Sequence, residues 1–102
     1  MIHIAICDDS ILDRKILERI LIAMFKVHNL EILAEHFSSG EEFLARHQPG
    51  KYDILFLDII MGDLNGIETG KRIRKIDTEL EIIYCSSSMD FTLASYEVFA
   101  LG

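Results

Sequence analysis

Cysteine, proline and basic residues are all scarce in this chain. Two cysteines in 102 residues build no disulfide framework, so a reducing, cytoplasmic setting is expected. A single proline, with no Pro/Gly/Ser-rich tract, leaves no visible linker, low-complexity stretch or second domain. No run reaches the roughly 18 apolar residues of a membrane span. The opening Met1-Ile2-His3 has neither a basic n-region nor a long apolar core, so no signal peptide is expected. Ten Lys+Arg against 17 Asp+Glu give a net charge of −7, and no Lys or Arg follows Lys75. That balance disfavours a basic nucleic-acid platform. What is abundant is apolar: 50% hydrophobic residues exclude disorder. One domain over residues 1–102 can bury roughly two thirds of its unfolded surface.

Short apolar runs alternate with helical patterns along the chain. Ile2–Cys7 reads as a strand buried on both faces. Asp8-Asp9-Ser10 follows, and Ser10 with Asp13 makes a capping-box-like start. The helix beyond it carries an apolar stripe of Leu12, Ile16, Leu17, Ile20, Leu21, Met24 and Val27. Leu30–Phe37 is a second strand, Glu41–His47 a short helix, and Asp53–Leu57 a third strand that delivers Asp58. A loop with Gly62 and Gly66 leads to a helix over Ile67–Ile76, and Leu80–Cys85 is a fourth strand running into Ser86-Ser87-Ser88. The last apolar pattern, about Met89–Ala100, is expected to be helical. Four β-α units predict right-handed crossovers and an open, doubly wound parallel sheet.

Open parallel sheets bind ligands beyond the carboxyl ends of their strands. Asp8 and Asp9 arrive there from the first strand, Asp58 from the third, and Ser86 and Ser87 from the fourth. Each Asp alone is also a good N-cap or turn residue, but convergence of three is costly. Two like charges about 4 Å apart repel by on the order of 4 kcal/mol at an effective dielectric near 20. A raised pKa or a bound cation must offset this. All-oxygen donors at a solvent-open mouth suit Mg²⁺, whereas the cysteines and histidines lack zinc-ligand spacing. Carboxylates, a divalent metal and serine hydroxyls together point to phosphoryl transfer onto an Asp nucleophile. Cys7 and Cys85 read as inert buried thiols. The four histidines read as structural or surface groups. Lys71-Arg72-Ile73-Arg74-Lys75 reads as a solvated helix face. Gly70 inside that helix implies close packing.

On Asp8-Asp9, Asp58, the segment Asp58–Gly66 and Ser86, the chain resembles the receiver domain of two-component response regulators, a flavodoxin-like fold. The closing Ser95–Leu101 is similar to receivers that precede LytTR-type DNA-binding domains. The resemblance implies that Asp58 accepts a phosphoryl group from a sensor histidine kinase. It implies that Asp9, Asp58 and the main-chain carbonyl of Ile60 ligate Mg²⁺, with Asp8 acting through water. Ser86 stands at the switch position, and the Ser87 N–H is a further phosphoryl donor. Gly62 stands where the family usually has proline. The family's lysine after a fifth strand has no counterpart, and four of the five usual β-α units are expected, the chain stopping before the fifth. The implied protein is cytoplasmic and needs no membrane. It meets nucleic acid only through a separate transcriptional output domain, with room for a homodimer. A phosphorylation-independent docking or dimerisation module is the main alternative, motivated by the absent lysine and by a fourth strand expected to be an unpaired edge. A phosphatase or phosphotransferase reading is weaker, since no insertion is long enough for a substrate-covering cap.

Overall fold

In the computed structural model, which describes residues 1–61, 65–86 and 97–101, the alternating order holds as far as the fourth strand. β1 (Ile2–Cys7) is followed by α1 (Ile11–Val27), β2 (Ile32–Phe37), α2 (Gly40–Arg46), β3 (Ile54–Asp58), α3 (Gly66–Ile76), β4 (Glu81–Ser86) and β5 (Glu97–Leu101). The sheet order is β2-β1-β3-β4-β5. The first four strands are mutually parallel, with Cys7 opposite Leu57 and Asp58 opposite Cys85.

Alternation along the strands splits the core into two layers. Ala5 and Cys7, Leu55 and Leu57, and Ile82 and Tyr84 pack with Phe43 of α2 and Ile73 of α3. Ile4, Ile6, Phe56 and Cys85 pack with Leu21, and with partly buried Leu17 and Phe25, of α1. The two cysteines therefore face opposite layers, and both are buried and free. Helices thus cover both sides of the sheet, as the β-α alternation implies.

Serine or asparagine starts each of the three described helices. Ser10 Oγ accepts the Asp13 N–H at 3.2 Å, Ser39 Oγ the Glu42 N–H at 3.0 Å, and Asn65 Oδ1 the Glu68 N–H at 2.9 Å. The return half of the capping box at Ser10 comes from Asp8, whose Oδ1 accepts the Ser10 N–H at 2.9 Å. α1 ends where Asn29 takes φ +58°, and the Leu30 N–H bonds back to Phe25 O at 3.0 Å. This delays β2 by two residues relative to the predicted start at Leu30.

Three expectations need correction. The stripe on α1 is wider than the face it buries: Leu12, Met24 and Val27 are 66%, 58% and 79% exposed. The row through Leu17, Leu21 and Phe25 supplies the apolar contact with the sheet. The predicted final helix does not extend to Ala100, because Glu97–Leu101 is a strand antiparallel to β4, with Tyr84 opposite Phe99. The remaining part of that helix, Met89 to Tyr96, lies outside the described residues. Consequently β4 is not an open edge. A short tract with Val98 and Phe99 fits a strand as well as a helix, and pairing satisfies the edge's backbone groups.

Close packing accounts for Gly70. A Cβ there would lie 1.7 Å from the Tyr84 hydroxyl oxygen, so α3 crosses β4 at this distance only if residue 70 has no side chain or the Tyr84 ring moves.

Candidate acidic pocket

At the carboxyl edge of the sheet, β1 leads directly into Asp8-Asp9 and β3 ends in Asp58. One carboxylate oxygen from each lies within 4.8 Å of the others. Asp58 is 3% exposed, Asp8 is half-buried and Asp9 is exposed, so the cluster grades from core to solvent. The backbone around it is tightly held. Asp8 N–H donates to Phe37 O at 3.0 Å, and Ile59 N–H donates to Cys85 O at 3.0 Å. Gly66 N–H donates to Ile59 O at 2.9 Å, drawing the start of α3 against the end of β3.

Electrostatics follow from that burial. Desolvation pushes the Asp58 carboxyl up to about 7, and the neighbouring Asp8 charge adds to it. The Ile60 N–H, which donates to Asp58 Oδ1 at 3.2 Å, opposes the rise. Burial likewise pushes Asp8 up to about 6, against the Ser10 N–H and with help from Asp13 and Asp9. The same burial, with the charges of Asp8 and Asp58, pushes Cys7 and Cys85 up to about 12. Thiols held protonated at neutral pH are poor nucleophiles and poor ligands.

Two carboxylates that resist ionisation beside a third, open to solvent on one side, form an all-oxygen donor set short of positive charge. This fits a hard divalent cation such as Mg²⁺. Ile60, two residues past Asp58, is exposed. Ser86 is the last residue of β4, next to the register partner of Asp58 and opposite Glu97. Ser87 lies outside the described residues, as does Gly62.

One group near the pocket escaped the sequence reading. Arg14 Nη1 donates to the Asp8 main-chain oxygen at 2.6 Å, and Arg14 Nε donates to His36 Nδ1 at 3.3 Å. The only sequence signal was a basic residue one turn past the Ser10 cap, which reads equally well as a solvated position.

Comparison with known proteins bears on the same edge. LytT, a sensory transduction protein of Oceanobacillus iheyensis, is 32% identical over 99 residues, covering 95% of this chain and 39% of LytT. The chain thus spans about two fifths of the length of LytT and of the similarly matched positive alginate biosynthesis regulatory protein of Pseudomonas aeruginosa. The crystal structure of response regulator TrrA from Thermotoga maritima, in complex with Mg²⁺-BeF, superposes with a TM-score of 0.66. It has 28% identity and is covered over 72% of its length by 87% of this chain. TrrA in complex with histidine kinase ThkA matches with a TM-score of 0.63 at 29% identity, over 93% of this chain and 78% of that one. The family model for the response regulator receiver domain matches residues 4–100, and with the β-α order and acidic edge described above, this chain belongs to that family of two-component signalling domains.

Proposed function

We propose that Asp58 is the phosphoacceptor of a single receiver domain spanning residues 1–102, loaded by a sensor histidine kinase. The observation that carries this reading is the buried Asp58 carboxylate, grouped within 4.8 Å with Asp8 and Asp9 at the sheet's carboxyl edge. Asp9, Asp58 and the Ile60 main-chain carbonyl would hold Mg²⁺, with Asp8 acting through water. When bound, Mg²⁺ supplies positive charge that favours ionised Asp58 and neutralises phosphoryl oxygens. An Asp58 oxygen attacks the phosphorus of a phosphohistidine. The O–P bond forms as the P–N bond breaks, and the imidazole leaves with a proton from solvent. The Ser86 hydroxyl and the Ser87 N–H then bind phosphoryl oxygens, and the inward movement of Ser86 shifts a pre-existing equilibrium of the neighbouring face.

Capture of TrrA with Mg²⁺-BeF and with the kinase ThkA supports the cation and partner parts of this reading. The greater length of LytT supports an output part outside these residues. We take that part to be a LytTR-type DNA-binding domain regulating transcription in the cytoplasm. Among the described residues no helix is long and apolar enough to cross a membrane. Mass spectrometry tests the central step. With Mg²⁺ and acetyl phosphate the chain gains one phosphoryl group, whereas Asp58→Asn and the chelated protein do not. Equal gain by Asp58→Asn sinks the assignment, as does no gain by the parent chain.

A further inference from the structure

Arg14 connects the acidic pocket to a side-chain relay on the seam between α1 and β2. Its Nη1 donates to the Asp8 carbonyl oxygen at 2.6 Å and its Nε to His36 Nδ1 at 3.3 Å. An acceptor at Nδ1 leaves the ring proton on Nε2, which donates to Glu18 Oε1. The guanidinium fork is therefore fixed from behind by an imidazole that is itself fixed by a carboxylate. The carbonyl that Arg14 grips belongs to the peptide joining Asp8 to Asp9. Asp8 already has its N–H on Phe37 O and its side chain on the Ser10 N–H. Arg14 supplies the remaining restraint, on the plane from which Asp9 departs.

We propose that Arg14, oriented by His36 and Glu18, is a positioning residue that fixes the Asp8–Asp9 peptide so that Asp9 presents its carboxylate to a divalent cation. The inference rests on the cation-pocket reading above. It makes a claim opposite in sign to simple electrostatics. A guanidinium beside the pocket repels a cation, so removal of its charge alone would tighten binding. Loss of positioning loosens it, and residues that orient metal ligands typically contribute about 10–100-fold in affinity.

Mg²⁺ titration calorimetry on the intact chain, with thermal midpoints measured in parallel without Mg²⁺, separates the possibilities. Arg14→Gln is expected to weaken Mg²⁺ binding by about tenfold. Arg14→Lys keeps the charge without the fork and is also expected to weaken it. His36→Leu removes the acceptor for Arg14 and lowers affinity. His36→Asn places an oxygen near the Nδ1 position and restores most of the affinity. Wild-type protein that binds Mg²⁺, with Arg14→Gln binding as tightly or more tightly, overturns this inference alone. Wild-type protein that binds none, or Asp9→Asn that binds equally, overturns the pocket reading and this inference with it. Should Arg14→Gln fail to fold, the two His36 variants decide: equal affinity in both overturns the proposal.

Discussion

A Cβ at Gly66 would lie 2.2 Å from the main-chain oxygen of Asp58 and 2.8 Å from the Cα of Ile59. Backbone atoms cannot swing aside as a flexible side chain can, so α3 starts against the end of β3 only because residue 66 is glycine. Gly66→Ala is expected to cost about 2–3 kcal/mol of stability, measured as a lowered urea midpoint with an unchanged slope. The displaced strand end carries Asp58, so the variant also weakens Mg²⁺ binding.

The acidic pocket is expected to make the protein more stable in mild acid than at neutrality. The folded pKa values of Asp8 and Asp58, about 6 and about 7, lie above the ordinary carboxyl value. The folded state therefore binds more protons than the unfolded chain between about pH 4 and 7, and stability falls as pH rises through that window. Asp58→Asn removes much of the slope and raises stability at pH 7 by about 2 kcal/mol. Denaturant titrations at several pH values, without divalent cations, check both statements.

Cation binding by these carboxyls is coupled to proton release. At pH 6.5 Asp58 is largely protonated and Asp8 partly so, given their raised values. Ligation needs the ionised forms. Mg²⁺ titrations in buffers of different ionisation enthalpy are expected to report release of about one proton at pH 6.5 and nearly none at pH 8.5. Apparent affinity rises over the same interval.

The opposite end of the sheet behaves in the reverse sense. His47 and Asp77, at the C-termini of α2 and α3, are both buried, with Nε2 and Oδ2 2.8 Å apart. The His47 ring stacks on Phe43, centroids 4.8 Å apart. Burial pushes the Asp77 carboxyl up, but the His47 hydrogen bond and the N–H groups of Glu79 and Leu80 outweigh it and hold the pKa below the usual value. That stabilisation is complete above the ordinary Asp pKa and disappears as pH falls through the folded value. His47→Leu strips the Oδ2 side of a buried carboxylate of its side-chain partner and is expected to cost about 3 kcal/mol, measured by thermal or urea denaturation at pH 7. With the pocket's opposite trend, overall stability should peak in mildly acidic solution.

Gly70 and Tyr84 provide a paired test of packing. Gly70→Ala drives a methyl into the Tyr84 hydroxyl, 1.7 Å away, and then into its Cζ at 2.8 Å. A loss of about 1–3 kcal/mol is expected. Tyr84→Phe in the same chain removes the nearer atom and recovers part of the loss, so the two substitutions are non-additive in a double-mutant cycle.

Much of this was legible because the strands are short, apolar and followed by residues of clear chemistry. Ile2–Cys7 reads as a strand from its run alone, and Asp8, Asp9 and Asp58 follow from knowing which strand ends share an edge. The final tract was not legible in the same way. Val98, Phe99, Ala100 and Leu101 suit either a helix or a strand, and the choice is made by β4, a distant element. On α1, helical spacing identified the apolar residues but not which row meets the sheet, since that depends on neighbours. Arg14 was overlooked because its partners, the Asp8 carbonyl and His36, are 6 and 22 residues away. A main-chain acceptor leaves no mark in the sequence.

Cys7 and Cys85 stand on either side of the sheet, each next in register to the strand that carries Asp58. Both keep their protons, and both feel the charge of Asp58 and Asp8. The Cys7 thiol points to Met61 Sδ at 3.7 Å and the Cys85 thiol to Ile83 O at 3.8 Å, two different acceptors. Their infrared S–H stretches are therefore expected at two different frequencies, one per layer. Both are expected to shift when the charge at Asp58 changes, reporting it from both sides of the sheet without a label.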